Sequence, residues 1–289
     1  MTPMTLMDTL RQARGSGKKT VARLARRVLP RSTVSLSHLE ADLKLTVSLR
    51  RHVMFWTGGL DRFEPASVKV LRAAVRPGDV VYDVGANIGF FSTLFSRWVG
   101  VDGRVFAVEP EPENLALLRQ NLASNDCGNV TVCDCAVGAE SGVALFSMDE
   151  ATGATGHLGR TATAGEVAVG TGKIRVIETN VETIDRLVER QAAAPRVVKM
   201  DIEGGELDAL EGASRTLSDH RPVIVAELTG DKGPAAVGFL ASKGYRMWDL
   251  EAGRPLGDDH HPFMVVAIPE EGLAGTRSLA IQEALRDRG

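Results

Sequence analysis

In the stretch VVYDVGANIGFFS, Asp83 closes an apolar run, and Gly85 and Gly89 punctuate the turn that leads into a helical segment at Phe90. A dinucleotide-binding fingerprint, G-x-G-x-x-G, needs glycine at positions 87 and 90, where this chain has Asn87 and Phe90. Without those glycines a pyrophosphate cannot approach the backbone and the helix N-terminus closely. An acid at the strand end also repels phosphate and suits a cation, such as an α-amino group or a sulfonium. Glu109 ends the next apolar run, 20 residues after Gly89. A carboxylate there accepts hydrogen bonds from both hydroxyls of a ribose. A nicotinamide dinucleotide would place an acid similarly, so Glu109 is informative only in combination with Asp83 and the phosphate-unfriendly turn. That combination points to S-adenosylmethionine, held by Asp83, Gly85, Asn87, Gly89 and Glu109. Asp134, near the end of the third run NVTVCDC, is the candidate acceptor for the adenine amino group.

These residues need a scaffold that brings strand ends together. Short apolar runs at 80–84, 104–109, 129–135, 196–202, 222–228, 245–250 and 262–268 alternate with helical patterns at 90–99, 112–124, 183–191, 205–217 and 234–243. Several runs are apolar nearly throughout, as parallel strands covered on both faces are. The alternation predicts a doubly wound α/β sheet. Residues 142–181 read as an insertion with extra strands, GVALFSM and KIRVIET, around a Gly/Thr-rich loop. The last two strands, joined by EAGRPLGDDHH, read as a hairpin, which makes the final strand antiparallel. The expected organisation is a basic arm at 1–31, a catalytic domain at 32–270 and a helical tail at 271–289.

Composition limits the function classes. The chain has 289 residues, is 44% hydrophobic and 25% charged, and contains no apolar run of the roughly 18 residues that would span a bilayer. No export signal is recognisable at its start, so a cytoplasmic protein is expected. Cys127, Cys133 and Cys135, an odd number in such a chain, argue against a disulfide framework. Cys133 and Cys135 read as packing residues, since they have no further ligands near them in sequence to complete a zinc site. The net charge of −3 conceals eight basic and no acidic residues within 11–31; the rest carries 26 basic against 37 acidic side chains. That balance excludes nucleic-acid binding by the main body. The arm reads as a loosely docked extension or, alternatively, as a peripheral membrane contact.

The chain resembles the FkbM family of S-adenosylmethionine-dependent methyltransferases over roughly residues 60 to 268. The motifs that carry the resemblance are FEP (63–65), PGDVVYDVGANIGFFS (77–92), VFAVEPEPENLALLRQNL (105–122), CAVG (135–138), VETIDRLV (181–188) and VVKMDIEGGELDALEGA (197–213). The resemblance implies a class I methyltransferase fold, a Rossmann-like doubly wound sheet of seven core strands with the last antiparallel. Tyr82 and Met200 replace the family's usual aliphatic residues, and Gly205 its frequent alanine.

Ligands of open α/β sheets bind beyond the C-terminal strand ends. On the strand order the resemblance implies, Asp201 and Glu203 stand at such an end beside the first strand, and Glu206 serves the N-terminus of the next helix. An alcohol is a poor nucleophile at neutral pH, so methylating it calls for a general base or a metal ion. Asp201 and Glu203 are the leading base candidates, with loop anchoring as their alternative role. Glu227 ends the next strand and suits a base, an orienting group or a structural acceptor. His261, in the DDHH loop, is a secondary base candidate against the reading of a solvated hairpin tip. Asp201, Glu203 and His261 have the residue types of a divalent-cation site, whose occupancy stays unassigned. Phe63-Glu64-Pro65 reads either as a lid that brings Glu64 to the ribose or substrate, or as an extended turn. Asp185 draws attention only through the resemblance; with Thr183 as cap it belongs to the first turn of its helix. The expected activity is O-methylation of a hydroxyl on a sugar, lipid, glycolipid or secondary metabolite. N-methylation of a small amine and a non-catalytic cofactor-binding scaffold are the alternatives.

Deleting residues 1–31 is expected to leave S-adenosylmethionine affinity within about threefold, by calorimetry, because the arm contains none of the motifs. If the arm binds anionic vesicles, each basic residue adds about 1 kcal/mol at low salt, lost as salt rises; absence of vesicle binding at low salt removes that alternative.

Overall fold

The structure is a computed structural model that describes residues 32–38, 42–149, 156–159, 165–169, 172–228, 231–257 and 263–287; the basic arm and His261 lie outside the described residues. The described chain opens with a hairpin, β1 (Thr33–His38) and β2 (Leu43–Ser48), then α1 (Val53–Gly58) and α2 (Pro65–Ala74). Next come β3 (Val80–Val84), α3 (Phe90–Val99), β4 (Arg104–Val108), α4 (Pro112–Ser124) and β5 (Val130–Cys133). An inserted section follows, with β6 (Ala136–Val137), β7 (Gly142–Asp149), β8 (Gly156–Gly159), β9 (Gly165–Val169) and β10 (Gly172–Glu182). The remainder contains α5 (Ile184–Gln191), β11 (Val197–Met200), α6 (Glu206–Glu211), β12 (Val223–Glu227) and α7 (Gly233–Ser242). Its last elements are β13 (Tyr245–Asp249), β14 (Arg254–Pro255), β15 (Met264–Pro269) and α8 (Thr276–Arg286).

The main sheet has the order β14-β13-β15-β12-β11-β3-β4-β5. Strands β5, β4, β3, β11 and β12 pair in parallel, whereas β15 is antiparallel to both β12 and β13. This is the class I methyltransferase arrangement, with the last strand reversed; β14 is a two-residue addition at the edge. Alternate residues divide between two apolar layers, as the two-residue strand period requires. Val81, Val105 and Val197 pack with Leu71, Leu94 and Ile281 on one side. Tyr82, Phe106 and Val198 pack with Leu187, Leu210 and Leu240 on the other. Tyr82, fully buried, stacks on Phe106 at 4.8 Å and donates from its hydroxyl to the Ala193 carbonyl at 3.2 Å. An aromatic pair of this kind contributes about 0.5–1.5 kcal/mol beyond its buried area.

The 142–181 section, together with β6 and the end of β10, forms a second sheet, β6-β10-β7-β8 with β9 on β10, in which β6 pairs in parallel with Val181 and Glu182. The hairpin β1–β2 falls in a region where the regular sequence pattern had not yet begun. Its signal was the alternation Leu43, Leu45, Val47, all buried. Asn121, itself fully buried, ties the hairpin down: its side chain bonds both backbone groups of Thr46 and the Ile88 carbonyl. Among the described residues no helix is long and apolar enough to cross a membrane.

The turn after β3 depends on glycine. Gly85 has φ +79°, and a Cβ there would lie 1.9 Å from the Asp201 carbonyl oxygen. Gly85→Ala is therefore expected to cost about 2–5 kcal/mol, combining left-handed strain of about 1–2 with overpacking of about 1–3. Denaturant titration checks this; a loss below about 0.5 kcal/mol would contradict the close approach.

Candidate active site

The C-terminal ends of β3, β4, β11 and β12 lie side by side, and each carries an acid. Asp83 sits one residue before the end of β3, and its register partner across β11 is Lys199. Both are buried on the face covered by α3. The Lys199 ammonium lies 3.9 Å from Asp83 Oδ1, 3.5 Å from Asp201 Oδ2, and 5.0 Å above the Phe91 ring. Asp83 Oδ2 accepts from the Ser92 hydroxyl at 2.6 Å, and Oδ1 has no hydrogen-bond partner among the described residues. Burial pushes the Asp83 carboxyl upward, with Lys199 and Ser92 opposing. Burial also disfavours the Lys199 charge, yet Asp201, Asp83 and Glu64 outweigh it and hold the amine above the ordinary lysine value. Where the sequence suggested a ligand cation beside Asp83, the chain itself supplies one. Lysine inside the apolar run VVKM was the available signal for it.

Glu109, 5% exposed, follows β4 and joins two loops. Its Oε2 accepts from the Asn87 amide at 2.8 Å, and Oε1 from the Glu111 amide at 2.9 Å and the Asn114 side chain at 3.4 Å. Burial pushes its carboxyl up to about 7, although the two amides favour the charged form. Oε1 already has two donors, while Oε2 keeps one acceptor position, because a carboxylate oxygen has two lone pairs. Asn87 holds the left-handed turn at φ 50°, and its side chain accepts from the Ile88 amide at 2.8 Å. On their Cβ sides the turn glycines meet protein: the Asp201 carbonyl at Gly85 and the Leu118 side chain at Gly89.

Glu111 went unnoticed in the sequence, although an acid immediately before a proline at a helix start is a capping signal. It caps α4 by accepting from the Glu113 and Asn114 amides at 3.2 and 2.7 Å, and it pairs with Arg51 at 2.9 Å. Arg51 also bonds Glu113, so the N-terminal segment braces the loop that follows Glu109.

After β11, Asp201 is the half-buried partner of Lys199, and its amide donates to the Val84 carbonyl at 3.0 Å. Glu203 occupies a left-handed position, φ 56°, in the next turn. Burial, then the charges of Asp201 and Glu206, push Glu203 up to about 7 against the pull of Lys199. Glu206, buried at the start of α6, closes this turn by accepting from the Ile202 and Gly204 amides at 3.0–3.1 Å. Glu227 ends β12; burial first, then Asp201, Glu203, Glu206 and Glu64, raise its carboxyl. Glu64 is brought to the same place, its charge felt by Lys199 and Glu227. It stands at φ 45° before α2 while Phe63 stacks on Phe55 at 4.1 Å and meets Phe90 edge-on at 5.1 Å. This aromatic packing fixes the FEP segment over the start of α3.

Asp134 and Asp185 are the remaining candidate acids; the Cys133 carbonyl, just before Asp134, accepts from the Glu109 amide at 3.1 Å, so Asp134 stands beside that strand end. Asp134, beyond the end of β5, is exposed and paired with Arg119 at 3.2 Å. Asp185 anchors structure: it accepts from the Arg215 and Thr216 amides at 2.9 and 2.7 Å, while Thr183 caps α5 through the Arg186 amide. Cys133 and Cys135 are buried, free thiols in one apolar cluster. No group of three or more His, Cys, Asp or Glu side chains suited to a metal ion occurs among the described residues.

An open sheet of this order, with an acid at the end of each of its first two strands and a carboxylate-rich turn after its fourth core strand, defines an S-adenosylmethionine-dependent methyltransferase of class I. The profile of the Methyltransferase FkbM domain matches residues 83–247, and the chain belongs to that family. It is 30% identical over 183 residues to the hexuronic acid methyltransferase AglP of Haloferax volcanii, spanning 63% of this chain and 69% of that protein. It is 35% identical over 175 residues to the 31-O-demethyl-FK506 methyltransferase FkbM of Streptomyces tacrolimicus, spanning 53% of this chain and 66% of that one. The crystal structure of Methyltransferase FkbM from Methylobacillus flagellatus KT is 22% identical, with a TM-score of 0.42, over 67% of this chain and 48% of that one. The chain is thus an enzyme, and the scaffold alternative falls.

Glu109 binds more protons folded than unfolded between its ordinary value of 4.5 and about 7. Stability it contributes below pH 4.5 is therefore lost as pH rises through 7. Relative to wild type, Glu109→Gln is expected to gain about 3 kcal/mol of stability on going from pH 4 to pH 8, and to bind S-adenosylhomocysteine more weakly. Denaturation across that range together with calorimetry checks both; parallel pH profiles would contradict the buried carboxyl.

Proposed function

We propose that the enzyme methylates a hydroxyl oxygen of a sugar, lipid or secondary metabolite, with Glu203 as general base and Asp201 and Glu227 beside it. The feature that supports this most is Glu203 in the turn after β11, the strand paired with β3, where burial and the neighbouring Asp201 and Glu206 push its carboxyl up to about 7. A general base works best when its pKa lies near the operating pH. The relatives' names agree with an oxygen acceptor: one acts on a 31-O-demethyl compound, the other on a hexuronic acid. Glu109 and the Asn87 turn would hold the cofactor's ribose, and Asp83 would set the field beside its amino-acid end. When bound, S-adenosylmethionine supplies an electrophilic sulfonium methyl. Glu203 then takes the hydroxyl proton as the oxygen attacks in line. Glu64 and the anchored Phe63 would cover the site, and His261 is retained as a secondary base. The acceptor is a small molecule or glycolipid.

The surplus of carboxylates over Lys199, the one buried ammonium among the described residues, also suits an amine acceptor, so N-methylation of a small amine is the second reading. Paired hydroxyl and amine acceptors, followed by mass spectrometry for a product one methylene heavier, separate the two.

With saturating cofactor, turnover is expected to rise with pH through about 7, as Glu203 loses its proton. Glu203→Gln should abolish that limb and lower turnover by about 10²–10⁴-fold, with S-adenosylhomocysteine affinity little changed. Asp201→Asn should also lower turnover. Full turnover in Glu203→Gln with the fold intact would move the base to Glu227 or His261.

A further inference from the structure

Arg51 and Glu111 form an ion pair whose side chains are only 12% and 5% exposed. Such a pair is a weak device for stability alone, because apolar residues in its place are often neutral or better. Glu111 also needs no guanidinium to cap α4, since its side chain already accepts from the Glu113 and Asn114 amides. What the pairing adds is a fixed place for Glu111. Arg51 bonds Oε2 through Nη2 at 2.9 Å and Oε1 through Nη1 at 3.5 Å, and a fork of this kind sets orientation as well as distance. Arg51 is held in turn by the turn after β2. There the His52 amide donates to the Ser48 carbonyl at 3.0 Å, and the Ser48 amide donates to His52 Nδ1 at 3.0 Å. Asn121 fastens the preceding strand through Thr46.

We propose that Arg51 is a positioning residue for cofactor binding: by fixing Glu111, its guanidinium places the two donors that orient the Glu109 carboxylate toward the ribose. This rests on the reading of Glu109 as the ribose acceptor. Both donors on Glu109 Oε1 come from the segment that Arg51 holds. One is the Glu111 amide at 2.9 Å, and the other is the Asn114 side chain at 3.4 Å. The Asn114 amide is itself bonded to Glu111 Oε2 at 2.7 Å. On the far side, Glu109 Oε2 accepts from the Asn87 amide at 2.8 Å. Contacts of hydrogen-bonding length therefore run from Arg51 through Glu111 and Glu109 into the turn after β3. Hydrogen bonds weaken steeply when misaligned, so a small shift of the Glu111 segment would turn the Glu109 oxygens away from a bound ribose.

The test measures thermal melting and S-adenosylhomocysteine affinity by calorimetry on the full chain. It compares wild type, Arg51→Met, the double variant Arg51→Met/Glu111→Gln, Glu109→Gln, and the triple variant that combines the last two. Arg51→Met leaves a buried carboxylate without its partner and should melt lower. The double variant buries neither charge and keeps a capping oxygen, so it should regain most of that melting temperature. Both are expected to bind S-adenosylhomocysteine about tenfold more weakly than wild type. The triple variant should bind no more weakly than Glu109→Gln, because the guanidinium acts through Glu109. Wild-type affinity in the folded double variant would make the pair a brace for α4 alone and overturn the proposal. Losses that simply add in the triple variant would overturn it as well, since Arg51 would then act by a route that bypasses Glu109. Wild-type affinity in Glu109→Gln is a separate result: it would remove the ribose reading, and this inference with it.

Discussion

The site is organised around one buried charge. Lys199 lies where the parallel strands β3 and β11 run side by side, and desolvation there disfavours any ion lacking a close counter-charge. Asp83 and Asp201 provide that counter-charge at 3.9 and 3.5 Å. An ion pair at about 4 Å is worth on the order of 4 kcal/mol at the effective dielectric of a protein surface, and losing one partner of a buried pair costs about 3–5 kcal/mol. The pairing therefore constrains the register of the two central strands and also the turn that follows each.

Around that pair, carboxylates act as connectors. Glu109 ties the turn after β3 to the loop after β4, Glu111 ties that loop to Arg51, and Glu206 closes the turn after β11. Each satisfies backbone amides that a sharp turn leaves without partners, which is where a carboxylate oxygen is most effective. The turn peptides are then held in place by hydrogen bonds to buried carboxylates. Glu203 and Glu227 differ from these connectors. No backbone amide is among the groups that set their proton affinity, which is governed by burial and by neighbouring acids. Carboxyls in that situation suit proton transfer near neutral pH.

The hairpin β1–β2 and the FEP segment show how remote elements reach the site. Asn121 links the hairpin to the end of the β3–α3 turn, and Phe63 is seated by Phe55 and Phe90 so that Glu64 faces the strand ends. Neither segment contributes to the parallel sheet. The second sheet is built from β6 to β10, within residues 136–182, with β6 parallel to the end of β10.

The sequence alone determined the sheet class, the reversed last strand, the cofactor and the positions of the strand-end acids. Those follow from local rules: apolar runs covered on both faces, glycine where φ is positive, and motifs whose spacing puts acids after strands. The β1–β2 hairpin was legible as alternation at Leu43, Leu45 and Val47, but its partners Asn121 and Ile88 lie far along the chain. What each acid does was decided only by tertiary structure. Asp83 faces a lysine from another strand, Glu109 faces two backbone amides, Asp134 faces solvent and Arg119, and Glu203 is left among other carboxylates. The physical reason is that the charge state and free lone pairs of a carboxylate depend on desolvation and on neighbours within a few ångströms. For Asp83 the deciding neighbour, Lys199, comes from a strand more than a hundred residues along the chain.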